Sequence, residues 1–85
     1  MKLLYFAWVR QMIGVSEEDY EAPDSAATAR QLIEALRGRG PGFAEAFRDL
    51  ARLRCAINQE HAGFDAAIKA GDEVAFFPPV TGGRR

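Results

Sequence analysis

The 85-residue sequence contains one cysteine and one histidine, and this scarcity excludes several chemistries at once. Cys55 has no partner for an internal disulfide, which suits a reducing compartment. No His pair and no Cys/His cluster exists to hold a metal, so no metal site is expected. Long apolar runs are also missing. The stretch over residues 3–9 is too short to span a bilayer and lacks the small-residue cleavage site of a signal peptide, so a cytoplasmic chain with no membrane contact is expected. Charge of one sign is missing too: eleven Lys plus Arg against twelve Asp plus Glu give a formal net charge of −1. Such a balance offers no broad positive field, and nucleic acid is not an expected partner.

What is present suits one small domain. Hydrophobic residues make up 48% of the chain, enough for a core, and charged residues at 27% keep the surface solvated. A chain this short buries between about 60% and about 68% of the surface its unfolded form exposes, which allows one modest core and no second. The charge is unevenly placed. Without Arg84 and Arg85 the eleven basic residues fall to nine against twelve acids, so residues 1–83 carry −3. The body is acidic and its end is basic.

The pattern along the chain alternates between strand and helix signals. Residues 2–9 are too continuously apolar to have one wet face and read as a central strand, with a short helical stretch from Val9 to Ile13 stopped at Gly14. Glu17, Glu18, Asp19, Glu21 and Asp24 then read as a solvated polar edge strand or loop rather than a metal site, closed by Pro23. Thr28-Ala29-Arg30-Gln31 fits a capping box, and Ala29, Leu32, Ile33 and Leu36 follow as one apolar stripe of a helix that Gly38, Gly40 and Pro41 end. Phe43, Ala46, Phe47 and Leu50 repeat the spacing on a shorter helix. Residues 53–58 turn strand-like, with Cys55 read as a buried small hydrophobe. Asn58-Gln59-Glu60 suits a turn, His61 a surface or turn position, and residues 64–68 a single helical turn.

The end of the chain carries the strongest signal. Residues 70–72 form a turn, and residues 73–77 form an apolar strand. Pro78-Pro79 cannot donate ladder hydrogen bonds and hold the backbone extended. The following residues 80–85 have no apolar periodicity, so the division is a domain over residues 1–77 and a flexible C-terminal arm over residues 78–85. From Phe77 to Gly83 an extended arm reaches roughly 20 Å. The element order fits an α+β fold of the β-grasp type: a mixed sheet with its first and last strands side by side, helices on one face, and an extended C-terminal tail. Six Phe, two Tyr and one Trp exceed what one small core needs, so some of Phe6, Phe76 and Phe77 are expected at an interface. Phe76 and Phe77 face opposite ways by strand alternation, and the sequence does not say which is buried.

Gly71-Asp72-Glu73-Val74-Ala75-Phe76-Phe77-Pro78-Pro79-Val80-Thr81-Gly82-Gly83 closely resembles the C-terminal signature of molybdopterin synthase small subunits, a ubiquitin-like sulfur-carrier family. Residues 4–10 resemble that family's first strand, and residues 56–59 its middle strand and turn, so the similarity runs from about residue 2 to residue 83. A bare Gly-Gly is weak; the whole run in register is specific. The resemblance implies that the carboxylate of Gly83 is adenylated by an activating enzyme related to the ubiquitin activators, which uses ATP, and is then converted to a thiocarboxylate. It further implies docking on a large synthase subunit, two small subunits serving a dimer of large ones. There the sulfur passes to cyclic pyranopterin monophosphate, making the dithiolene of molybdopterin. No bound cofactor is implied. Gly83 would be the sulfur donor, a co-substrate rather than a catalyst on its own, and Gly82 would thread a narrow channel because it lacks a Cβ. Phe6, Phe76, Phe77, Pro78, Pro79, Val80 and Thr81 would meet the partner, with the prolines stiffening the arm's base.

The sequence departs from the family after Gly83, where Arg84 and Arg85 follow. They displace the free carboxylate by about 7 Å and bring two long cations to a channel shaped for glycine. Removal of both arginines before activation is therefore expected, unless they derive from an expression vector. A sulfur carrier for thiamin or thionucleoside synthesis, or a β-grasp binding module that carries no sulfur, are the alternatives.

Overall fold

The computed structural model describes residues 1–79. Its elements are β1 (Lys2–Tyr5), α1 (Ala7–Ile13), β2 (Glu17–Asp19), α2 (Ala29–Arg37), α3 (Pro41–Ala46), a 3-10 turn (Leu50–Arg52), β3 (Arg54–Ile57), β4 (Glu60–Ala62) and β5 (Glu73–Phe77). The strands form one sheet in the order β2-β1-β5-β3-β4. β1 runs parallel to β5 with Tyr5 opposite Phe76, while β2, β3 and β4 pair antiparallel with their neighbours. First and last strands thus lie side by side at the centre, the β-grasp layout expected. Among the described residues no helix is long and apolar enough to cross a membrane.

Alternation sorts the sheet into two faces. Leu3, Tyr5, Cys55, Val74 and Phe76 are buried in one cluster with Ala29, Leu32, Ile33 and Leu36, the stripe of α2. The capping box sets where that helix begins: Thr28 Oγ1 accepts the Gln31 amide at 3.2 Å, and Gln31 Oε1 accepts the Thr28 amide at 3.2 Å. On the opposite face Leu4, Ala75, Ala56 and His61 stand in one row across four strands.

Four local expectations are corrected. The opening strand ends at Tyr5, not at residue 9: Phe6 is extended, Ala7 takes a left-handed φ of 55°, and Trp8 and Val9 already belong to α1. A continuous apolar run looks the same in a buried strand and a buried helix, and Val9 is fully buried from the helix. The second amphipathic stretch stops at Ala46, and Leu50 falls in a separate 3-10 turn because the Asp49 carboxylate accepts the Ala51 amide at 3.1 Å. Glu60 is not in the turn but opens β4, since Asn58 and Gln59, at φ 52° and 70°, alone reverse the chain. Residues 64–68 form no helix. The carbonyls of Phe64 and Ala66 instead accept the Arg30 and Ala29 amides at 2.7 and 3.1 Å, satisfying donors at the start of α2 that a helix leaves free.

Candidate functional site

The tail leaves the body from the centre of the sheet. Phe77 ends β5, flanked by Arg54 at the start of β3 and, on the β1 side, by Phe6, whose amide donates to the Phe76 carbonyl at 3.1 Å. The start of β5 is anchored as firmly. Asn58 Nδ2 donates to Asp72 Oδ1 at 3.1 Å, its Oδ1 accepts the Glu73 amide at 3.0 Å, and Asp72 Oδ2 accepts the Lys69 amide at 2.9 Å. Asn58 thereby ties the left-handed β3–β4 turn to the first residue of β5. Those hydrogen bonds, from Asn58 first and then from Lys69, hold the buried Asp72 carboxyl below its usual range against the cost of burial.

The aromatic residues divide clearly. Phe6 is 48% exposed and Phe77 is half-buried, its ring meeting the exposed His61 edge-on with centroids 5.2 Å apart. Phe76 has no exposed surface: it stacks on Tyr5 at 6.2 Å and meets Phe47 edge-on at 5.0 Å. Its expected place at the partner interface is therefore corrected, because its side chain fills the core between Tyr5 and Phe47. Pro78 and Pro79 are half-buried at the root of the arm. Val80, Thr81, Gly82, Gly83, Arg84 and Arg85 lie outside the described residues.

Toward the β2 edge, the Tyr5 hydroxyl donates to Glu18 Oε2 at 2.6 Å, and Arg39 Nη1 donates to the same oxygen at 2.8 Å. Arg39 also lies over the rings of Tyr20 and Phe43, at 5.0 and 4.7 Å. Burial pushes the Glu18 carboxyl up, but the bonds from Arg39 and Tyr5 outweigh it and hold it below its ordinary value. The Tyr5 hydroxyl is raised far above its own, first by burial and then by its bond to Glu18. One member of the acidic run thus pins β2 to β1.

Among the described residues nothing at the tail root is built as a nucleophile. The Cys55 thiol is buried, donates to the Ala62 carbonyl at 3.3 Å, and is pushed up by burial, which disfavours the reactive thiolate. His61 serves as an aromatic neighbour of Phe77. What the described residues supply is a central strand hydrogen-bonded on both sides and an exposed aromatic, Phe6, at its exit. Arg54 and His61 were not anticipated as neighbours of Phe77, because their proximity depends on the β3–β5 and β3–β4 registers, which no local signal prints.

The sequence profile of the ThiS family matches residues 3–83. The molybdopterin synthase sulfur carrier subunit of Haemophilus influenzae is 43% identical over 83 residues, covering 98% of this chain and 99% of that protein. The subunit of the same name from Escherichia coli is 39% identical with the same coverage. Among solved structures, a putative molybdopterin converting factor subunit 1 from Pyrococcus furiosus superposes with a TM-score of 0.73 at 36% identity, covering 93% of this chain and 95% of the other.

Proposed function

Because this chain belongs to the ThiS family and is a sulfur carrier of molybdenum-cofactor biosynthesis, we propose that the sulfur travels on the carbonyl carbon of Gly83. The observation that carries the reading is the unbroken run from Gly71 to Gly83, whose residues 73–77 form the central strand of the sheet. A carboxylate oxygen is a poor leaving group. The Gly83 carboxylate attacks the α-phosphorus of ATP on an activating enzyme, pyrophosphate departs, and an acyl-adenylate forms. A sulfide-level nucleophile (HS⁻) then attacks the acyl carbon, AMP leaves, and a thiocarboxylate remains.

The charged tail next enters a large synthase subunit. Gly82 and Gly83, with no Cβ, pass where a side chain would jam, and Phe6, Phe77 and the two prolines seat the root. Sulfur passes there to cyclic pyranopterin monophosphate to build the dithiolene, with two carriers serving a dimer of large subunits. Acid and base groups belong to the partner, and the whole exchange takes place in the cytoplasm. Activation requires that Arg84 and whatever follows it be removed, so that the carboxylate belongs to Gly83.

The test is to incubate chains ending at Gly83 and at Arg85 with ATP, an activating enzyme and a sulfur source. Intact mass should show one oxygen replaced by sulfur in the first and no change in the second. Addition of large subunit and pterin precursor should then release that sulfur. A thiocarboxylate that forms but stays intact, with the precursor unconsumed, would point to another pathway.

A further inference from the structure

The net charge of the body conceals a polarity along it. Residues 7–13, which follow Phe6, and 41–54, which lead to Arg54 opposite Phe77, carry four arginines against two acids, while the rest of residues 1–79 carries five bases against ten acids. The two acids at the root are engaged: Glu45 pairs with Arg48 at 3.2 Å, and Asp49 caps the 3-10 turn. Arg10, Arg52 and Arg54 have no carboxylate partner among the described residues. Arg52 lies over the Trp8 ring at 5.6 Å, and among the described residues Arg54 Nη1 donates only to the Ala51 and Leu53 carbonyls, at 3.3 and 2.8 Å. Stacking covers one face of a guanidinium and leaves its in-plane donors free for an anion.

Resting on the reading that the tail enters a large synthase subunit, we propose that Trp8, Arg52 and Arg54 form a cationic lip that meets an acidic rim beside the entrance of that subunit. Arg54 stands directly opposite Phe77, so a protein receiving the tail passes it. Arg52 and Arg54 are joined by the extended Leu53, which spaces them as a strip about 7 Å long rather than a closed pocket. A strip suits a carboxylate-lined protein edge; a single small anion would be gripped by neither end. Charges at the rim of an interface act mainly on encounter, so the lip steers the tail to its entrance more than it tightens the finished complex.

The experiment measures association and dissociation of the chain ending at Gly83 with the large subunit by stopped flow. It compares the unaltered chain, an Arg52→Gln/Arg54→Gln variant and an Arg30→Gln/Lys69→Gln control of equal charge change, each checked for an unchanged melting curve. The lip variant should associate about tenfold more slowly at low salt, with dissociation nearly unchanged. The gap should close at 1 M salt, where the screening length is about 3 Å. The control should differ from the unaltered chain by less than about twofold, because its charges lie away from the lip. Equal slowing in lip variant and control, or none in either, overturns the lip. If the unaltered chain itself fails to bind the large subunit, the docking reading falls first and the lip with it.

Discussion

Replacing Phe76 and Phe77 one at a time by alanine separates a core role from an interface role in adjacent residues. Phe76 has no exposed surface and packs on two aromatic rings at 5.0 and 6.2 Å, so Phe76→Ala removes a large buried side chain and leaves a cavity between Tyr5 and Phe47. Such truncations cost about 3–5 kcal/mol. A chain of this length has a total stability of about 4–13 kcal/mol, so the loss takes a large share of it. With about 4–8 °C of melting temperature per kcal/mol in small domains, the midpoint should fall by at least about 12 °C. Phe77 is half-buried with one ring contact to His61, and Phe77→Ala should cost less than about 1.5 kcal/mol while weakening capture by the large subunit. Urea titration and thermal melts read the first effect, and calorimetric binding reads the second. Should Phe76→Ala not fold, Phe76→Leu, expected at about 1–2 kcal/mol, keeps the comparison open. A Phe77→Ala chain less stable than its Phe76 counterpart would refute the assignment of faces.

Two further outcomes follow from backbone packing and buried charge. A Cβ on Gly42 would run into the Met12 carbonyl oxygen at the end of α1, so Gly42→Ala should push α1 and α3 apart and cost about 1–3 kcal/mol; an unchanged urea midpoint would contradict the close approach. Asp72 and Glu18 are both held below the usual carboxylate range, so the unfolded chain binds more protons than the folded one on acidification. Their contribution should be complete at neutral pH and be lost as pH falls through and below the unfolded values of about 3.9–4.3. Asp72→Ala should cost about 2–3 kcal/mol at pH 7 and flatten that acid limb; a melting temperature that rises on acidification would be the opposite sign.

Where the sequence was legible, one local signal sufficed. Thr28 and Gln31 fix the start of α2 by a reciprocal pair of hydrogen bonds, and its buried stripe needs only helical spacing. The final strand and its prolines read the same way. Where it was not, a partner distant in the chain decided. β4 has only three residues and no apolar alternation, and it exists because Asn58 and Gln59 accept left-handed angles, Asn58 being held there by Asp72 and Glu73. The segment after Phe64 is recruited to cap α2, which no local propensity expresses. At the tail root, Phe6 and Phe77 were legible as aromatics in excess of a core. The burial of Phe76 and the approach of Arg54 and His61 to Phe77 depend on strand register.

The central claim is that Gly83, once its carboxylate is free, is the atom group that bears sulfur. Intact-mass measurement of the chain recovered from its native cells during active molybdopterin synthesis tests it most directly. The expected species is a chain ending at Gly83 in which one carboxylate oxygen has become sulfur. A chain that supports synthesis with Arg84 still attached, or one ending at Gly83 that never exchanges oxygen for sulfur, would contradict it.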